Sequence, residues 1–344
     1  MRATVLTDAA LAKQAGRFVW LSIDTEDPKN AAFLDRYPWE AVPTFEVLDA
    51  KSEKVAYSWI GAVDAPELVR RFDEAENAFR KADGTAPAGP ASPDALVLAL
   101  SLAGKNEECA RRALKLLPTL PPAAVKANVA STGLDCALSA PENAPWRAPA
   151  LATLESTVRA AVDYGGLLDD DRSGLYSALV DARNRQRDEA GAKAAALTWL
   201  DWLDAQARQA ASVEARAALD GYRVSAALNA GAPERVVATI ERSERELPND
   251  YNPPARLALV LREMGRYDEA IAASDRALSQ VYGPRKLTLL DARATILERK
   301  GDPEGAKAAL EQAIAYASTL AESQRPKGMI ARIEKRLGQV GRAD

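Results

Sequence analysis

The sequence predicts a small α/β unit followed by an all-α array of helical hairpins. Before residue 83, three short runs rich in β-branched and aromatic residues alternate with two helical patterns. Residues 84–93 are rich in Gly, Pro and Ala, which is the composition of a linker. Beyond it every segment is helical in pattern, and small or apolar residues recur regularly toward the C-terminus. We therefore divide the chain into residues 1–83, the linker 84–93, degenerate helical hairpins at 94–216 and regular repeats at 217–344.

The composition excludes several classes of function. The 344 residues are 47% hydrophobic and 27% charged, so the chain can form a core. There is no histidine, which removes histidine general bases, Ser-His-Asp triads and almost all zinc chemistry. The net charge is −4 and no basic stripe carries interleaved aromatic residues, so we do not expect nucleic-acid binding. No apolar run is long enough to span a bilayer. We expect no catalytic residue, no metal and no cofactor.

The elements of the N-terminal unit are predicted from local patterns. Asp27 followed by Pro28 is typical of a helix start, and so is Asp64 before a helical pattern that ends near Lys81. The polar turn 49–54 joins two strand patterns into a hairpin. The three predicted strands are residues 18–23, Thr44–Leu48 and Val55–Ile60.

The C-terminal part contains repeats in phase. Gly231, Gly265 and Gly301 each follow a helical pattern and lie 34 and 36 residues apart. Small residues let antiparallel helices approach closely, and glycine permits the turn between them. Three sets of small or apolar residues recur around these glycines: Val224, Ala258 and Ala294; Val236, Ala270 and Ala306; Ser243, Ala277 and Ala313.

This pattern resembles the tetratricopeptide repeat over residues 217–320. Two positions depart from the family pattern: Ser274 stands where a bulky aromatic residue is usual, and Ala232-Pro233 where tyrosine often occurs. The resemblance implies a solenoid of helical hairpins with a groove for an extended peptide or a partner helix. Arg256, Arg285 and Lys286 are predicted to line an anion-binding patch in this groove.

Upstream of these repeats the helical pattern is less regular. Gly104 with Cys109 and Ala113 indicates a degenerate unit of the same kind, and residues 175–205 predict another hairpin. Residues 119–172 contain many prolines, so irregular helices are expected there. The acidic run 169–171 is interpreted as a helix start in preference to a metal cluster. Cys109 and Cys136 are interpreted as separate buried side chains in preference to a disulfide or redox pair.

The segment from Tyr37 to Asp49 resembles the second half of a thioredoxin-like domain. The family has a cis-proline before its penultimate strand, followed by a small residue and an apolar strand, and Val42, Pro43 and Thr44 match this order. The resemblance covers residues 1–80, and its alternative is an unrelated hairpin with a proline at its entrance. It implies a cis peptide bond before Pro43. It also implies that the backbone of Val42, Pro43 and Thr44 contacts a bound peptide.

The redox motif of that family is missing from this sequence. Its Cys-x-x-Cys would lie before residue 18, where this chain has no cysteine. Two explanations are open. The natural product starts earlier, or the run at 18–23 pairs directly with Thr44–Leu48 in a non-catalytic relic.

The sequence therefore predicts a protein–protein interaction module with a redox-incompetent thioredoxin-like segment and a protein or peptide partner. The alternative is a truncated thioredoxin-family thiol–disulfide oxidoreductase that is active at full length. Met1–Thr4 does not begin a signal peptide. We expect a periplasmic or secreted protein if the start is truncated and a cytoplasmic one otherwise. Partner identity and oligomeric state are not predicted.

Overall fold

A computed structural model describes residues 5–39, 42–61, 63–81 and 93–340. Its N-terminal part contains α1 (Ala31–Arg36), β1 (Thr44–Leu48), β2 (Val55–Ile60) and α2 (Ala65–Lys81). The rest is helical: α3 (Pro93–Leu102), α4 (Asn106–Leu116), α5 (Ala124–Leu138), α6 (Arg147–Ala161), α7 (Asp169–Arg185), α8 (Glu189–Gln209), α9 (Val213–Ala218), α10 (Asp220–Ala230), α11 (Glu234–Glu246), α12 (Asn252–Glu263), α13 (Tyr267–Gln280), α14 (Arg285–Lys300), α15 (Pro303–Ala317) and α16 (Lys327–Leu337). Short 3-10 helices lie at Val5–Thr7, Ala9–Gln14, Pro28–Asn30, Leu117–Thr119 and Glu322–Gln324. The predicted linker lies outside the described residues except for Pro93, which begins α3.

The predicted hairpin is confirmed. β1 and β2 pair antiparallel, with Phe45 opposite Trp59, and these two rings stack with centroids 4.6 Å apart. The Asp64 side chain caps α2 by accepting from the Glu67 N–H at 2.8 Å, as its position predicted. The hairpin packs on α2 through a cluster that includes Trp59, Leu68 and Phe72.

The predicted strand at residues 18–23 is wrong. This segment has no assigned secondary structure, and β1 and β2 are the only strands of the sheet that the described residues contain. Phe18 and Trp20 instead pack their rings against Phe72 of α2, at 5.3 and 5.1 Å between centroids. Direct pairing of this segment with β1 is therefore excluded. A two-stranded sheet does not confirm a partial thioredoxin-like domain, although the Val42–Pro43 peptide bond is cis.

The in-phase repeats are confirmed as helical hairpins. We call α10, α12 and α14 the first helices and α11, α13 and α15 the second helices. The glycine after each first helix has a left-handed φ: 70° at Gly231, 74° at Gly265 and 86° at Gly301. All nine residues of the three recurring sets are buried. The chain is thus mostly helical, and its C-terminal half is built from stacked hairpins.

The upstream helices also form hairpins. α7 and α8 pack as predicted, with Trp199 fully buried. Residues 119–172 contain two regular helices, α5 and α6, so the expectation of irregular helices is wrong. Their prolines lie in the connecting loops or in the first turns, where proline needs no intrahelical partner. Helix α9 crosses the predicted boundary at residue 216, and the domain boundaries stay predictions.

Cys109 and Cys136 form a disulfide bond, so their interpretation as separate side chains is wrong. The bond joins α4 to α5, which pack against each other with their Cα atoms 6.2 Å apart at this point. Both residues belong to the core of the upstream helices. The helical surroundings indicated two buried side chains, but they could not show that residues 27 positions apart face each other. Among the described helices, none is long and apolar enough to cross a membrane.

Candidate functional site

The first helices α12 and α14 enclose an apolar slot. Its volume is about 180 Å³. Residues from both first helices and from the intervening second helix α13 line it: Ala255, Ala258, Leu259, Arg262, Ser274, Ala277, Leu289, Ala292 and Ile296. We call this cavity the slot.

Small side chains create the slot. Ala255 and Ala292 lie on facing first helices and are half-buried, so neither fills the space between them. Ser274 is also part of the lining, and it stands where the family pattern has a bulky aromatic residue. The departure from the repeat pattern therefore leaves a space that an aromatic side chain would occupy. Arg262 supplies the one charged group of the lining, and it pairs with Glu263, whose Oε1 lies 2.7 Å from Arg262 Nη2.

The three basic residues predicted for the groove contact different partners. Arg256 lies on α12 and donates from Nη1 to the Ala217 carbonyl oxygen at 3.4 Å. Arg285 begins α14, and its Nε donates to Glu26 Oε1 at 3.2 Å. The Lys286 ammonium lies 5.2 Å from the centre of the Tyr316 ring. Each therefore has a partner within the chain, and their joint role as an anion-binding patch stays a prediction.

Val42, Pro43 and Thr44 lie at the entrance to β1. Val42 is 71% exposed, and Thr44 pairs with Ile60 at the end of the hairpin. The Pro43 carbonyl oxygen accepts from the Gly61 N–H at 2.9 Å, which closes the hairpin. An exposed side chain beside a strand entrance is compatible with peptide contact, and that role stays a prediction.

A larger cavity, of about 540 Å³, lies between α8 and the second helix α11. Its lining includes four arginines: Arg208, Arg216, Arg223 and Arg242. Carboxylates already pair three of them, because Arg223 contacts Asp204 while Arg216 and Arg242 both contact Glu246. The charge of the cavity is thus largely neutralised within the chain. We assign this cluster to the stability of the helix packing.

The acidic run Asp169, Asp170 and Asp171 forms the first turn of α7, as interpreted from the sequence. Burial raises the pKa of Asp171 to about 6, and the charges of Asp170, Asp64 and Asp94 add to this. Within residues 5–39, 42–61, 63–81 and 93–340, no group of three or more Cys, Asp or Glu side chains is placed to hold a metal ion.

Sequence reasoning missed the contact between the N-terminal unit and the repeats. Asp24 and Glu26 contact Tyr282 and Arg285, more than 250 positions away. No periodicity links such distant residues. The acidic residues Asp24, Glu26 and Asp27 and the basic residues at the start of α14 are visible in the sequence, but nothing in the sequence connects them.

Comparison with known proteins identifies the repeats. Residues 251–319 match the tetratricopeptide repeat family model. That segment contains α12 to α15, and therefore the whole slot. The match supports a protein–protein interaction module. No curated protein is similar in sequence to the chain.

Two solved structures have some similarity to the chain. YrrB, a TPR protein with an unusual peptide-binding site, is 14% identical with a TM-score of 0.31, over 65% of this chain and 97% of that one. The TPR2AB domain of yeast Sti1, in its pHSP90 complex, is 13% identical with a TM-score of 0.31, over 72% of this chain and 97% of that one. At these values neither structure bears on the function of this protein.

Proposed function

We propose that this chain is a protein-interaction module whose slot binds an extended segment of a partner protein. The observation that carries the proposal is the slot itself, because it is an apolar space between two first helices of a tetratricopeptide segment. An apolar side chain of the partner would enter the slot, and a neighbouring carboxylate of the partner would compete with Glu263 for Arg262.

One of the predicted basic residues fits this arrangement by helical spacing. Arg285 precedes Leu289 by four residues and Ala292 by seven, so it lies on the slot side of α14. Arg256 follows Ala255 directly on α12, and its guanidinium lies against Ala217 of α9 and Gly221 of α10. We propose that Arg256, Arg285 and Lys286 favour acidic partners by flanking the slot. Val42, Pro43 and Thr44 would add a second contact with the partner.

The disulfide bond indicates the kind of compartment in which the protein functions. Disulfides persist in oxidising compartments and are rare in the cytosol. The Cys109–Cys136 bond lies in the core of the upstream helices, where it stabilises the protein. We therefore propose a periplasmic or secreted protein. Both cysteines of the chain are engaged in this bond, so they supply no redox pair to the N-terminal unit.

Selection from a random peptide library with the full chain tests the proposal. Selected peptides would then be titrated, by fluorescence polarisation, against the native chain and an Ala255→Leu/Ala292→Leu variant. Leucine at these positions fills the slot, so we expect affinity to fall at least about tenfold. The matched control is Ala308→Leu, at an exposed position of α15. Failure to select any peptide, or equal affinity for the native chain and the slot variant, would refute the proposal.

A further inference from the structure

The start of α14 and the 3-10 helix Glu322–Gln324 hold an acidic segment of the same chain. The Tyr282 hydroxyl donates to Asp24 Oδ2 at 2.6 Å. Arg285 donates to Glu26 twice, from its backbone N–H to Oε2 at 3.0 Å and from Nε to Oε1 at 3.2 Å. Gln324 Nε2 donates to the carbonyl oxygens of Thr25 and Asp27, at 3.1 and 3.0 Å. We call Tyr282, Gly283, Arg285 and Gln324 the acid-docking surface.

The contacts alternate along the docked segment. The side chains of residues 24 and 26 contact Tyr282 and Arg285, whereas the backbone carbonyls of residues 25 and 27 contact Gln324. Residues 24–27 form a turn, in which the Asp27 N–H donates to the Asp24 carbonyl oxygen at 3.3 Å and the Glu26 N–H donates to Asp24 Oδ1 at 2.9 Å. The turn therefore presents two carboxylates and two carbonyl oxygens to the repeats. The first turn of a sixteen-residue helix adds its partial positive charge at Glu26.

The backbone of the docked segment lies in close contact with Gly283. A Cβ at this position would collide with the Glu26 carbonyl oxygen, and φ is +61°. The backbone at Glu26 therefore lies directly against the loop between α13 and α14. Gln324, which reaches the segment from the other side, is only 5% exposed and so has a fixed position. These features make the acid-docking surface a defined recess that fits a peptide backbone.

The segment is held by polar contacts that another ligand can replace. None of residues 24–27 is buried, and the contacts of Asp24 and Glu26 are exposed to solvent. Exposed ion pairs of this type contribute little stability each. The preceding residues have no secondary structure, and Val19 is 90% exposed. The nearest buried side chain that follows is Leu34, on α1.

We propose that the acid-docking surface binds an acidic turn of a partner protein, with carboxylates two residues apart, and that residues 24–27 occupy it in cis. A partner of this chemistry displaces the cis segment. Release leaves the N-terminal unit attached through its other contacts with the helices, such as Leu168. The inference goes beyond the slot and does not require the slot to be occupied.

The test uses the full chain carrying Asp24→Asn and Glu26→Gln, which removes both carboxylates from the surface and is expected to release the segment. We call it the emptied variant. The probe is a fluorescein-labelled peptide with the sequence of residues 22–31, and the control peptide has the same two amide substitutions. We expect the acidic peptide to bind the variant about tenfold or more tightly than the native chain, because the cis segment competes in the latter. The amide peptide should bind neither, and added salt should weaken binding of the acidic peptide.

Two further measurements distinguish binding at the acid-docking surface from binding at the slot. Arg285→Gln in the emptied variant should abolish binding, whereas Ala255→Leu/Ala292→Leu should leave it intact. Hydrogen exchange at residues 18–31 should rise in the emptied variant while exchange in α12 to α15 is unchanged. Equal peptide affinity for native and emptied chains, no binding up to the solubility limit, or unchanged exchange at residues 18–31 would each overturn the inference. Loss of binding only in the Ala255→Leu/Ala292→Leu variant would overturn it while leaving slot binding supported.

Discussion

Arg223 Nη2 donates to Asp204 Oδ1 at 2.6 Å and joins α10 to α8. The same nitrogen donates to Thr239 Oγ1 of α11 at 3.2 Å, so three helices meet at one guanidinium. Arg223 is 7% exposed, and the neighbouring Asp220 is fully buried with an oxygen 3.5 Å from Arg223 Nη1. Burial raises the pKa of Asp220, and the charges of Arg223, Arg256 and Arg216 oppose this rise. The ion pair therefore sits where the upstream hairpins join the regular repeats.

Replacement of Arg223 by Ala should destabilise the protein by about 3 kcal/mol, because it leaves two carboxylates without their buried partner. Urea unfolding followed by tryptophan fluorescence measures this cost, since Trp199 and Trp202 lie in the adjoining helix α8. The matched control is Arg235→Ala. Arg235 also contacts Asp204 but keeps 35% of its side chain exposed, so its loss should cost less than about 1 kcal/mol. Equal costs for the two variants would show that Arg223 does not act as a buried partner.

The disulfide predicts a second, larger effect on stability. Replacing Cys109 and Cys136 together by Ala should cost about 3 to 4 kcal/mol in the chain-entropy treatment of a loop of this length. Thermal unfolding of the variant and of the native chain, with and without reductant, measures it. Reductant should affect the native chain only. Thiol titration of the denatured, unreduced protein should find no free thiol, and detection of free thiols there would contradict the disulfide.

The repeats could be predicted because their packing is local. A helix pair brings residues a few turns apart into contact, so Val224, Ala258 and Ala294 recur at the repeat spacing and become buried together. The slot could be anticipated only in part. Ser274 was recognised as a departure from the repeat pattern. Whether neighbouring side chains fill the space beside Ser274 depends on how α14 packs, which the pattern does not show.

Contacts between distant segments could not be predicted in the same way. The Cys109–Cys136 bond depends on the relative rotation of α4 and α5, which the hydrophobic pattern does not fix within a turn. Residues 18–23 are rich in the β-branched and aromatic residues typical of strands. A strand also needs a neighbouring strand to hydrogen-bond with, and the composition does not show whether one is present. The contact of Glu26 with Arg285 depends on where the N-terminal unit docks.

The packing of residues 18–20 on α2 leads to a third prediction. Phe72→Ala should destabilise the N-terminal unit by about 3 kcal/mol or more, because Phe72 is 3% exposed and contacts the rings of both Phe18 and Trp20. Hydrogen exchange at residues 5–39 and 63–81 should rise while exchange in α12 to α15 is unchanged. Val19→Ser is the control, since Val19 is 90% exposed and its replacement should change stability by less than about 0.5 kcal/mol. A large cost at Val19 would indicate that this segment is packed on both sides, as a central strand would be.

The pKa of Asp171 predicts how stability depends on pH. In the folded protein it is raised to about 6, chiefly by burial and then by the charges of Asp170, Asp64 and Asp94. The folded state therefore binds more protons than the unfolded state between about pH 4 and pH 6, so this carboxyl's contribution to stability falls as pH rises through that window.

Asp171→Asn removes the buried charge and should stabilise the protein by about 1 to 3 kcal/mol at pH 8 but not at pH 4. Urea unfolding of variant and native chain at pH 4, 6 and 8 measures the difference, with Asp35→Asn, at an exposed position, as a control that should show no such trend. A gain that is the same at all three pH values would mean that the substitution acts through packing and not through the charge of Asp171.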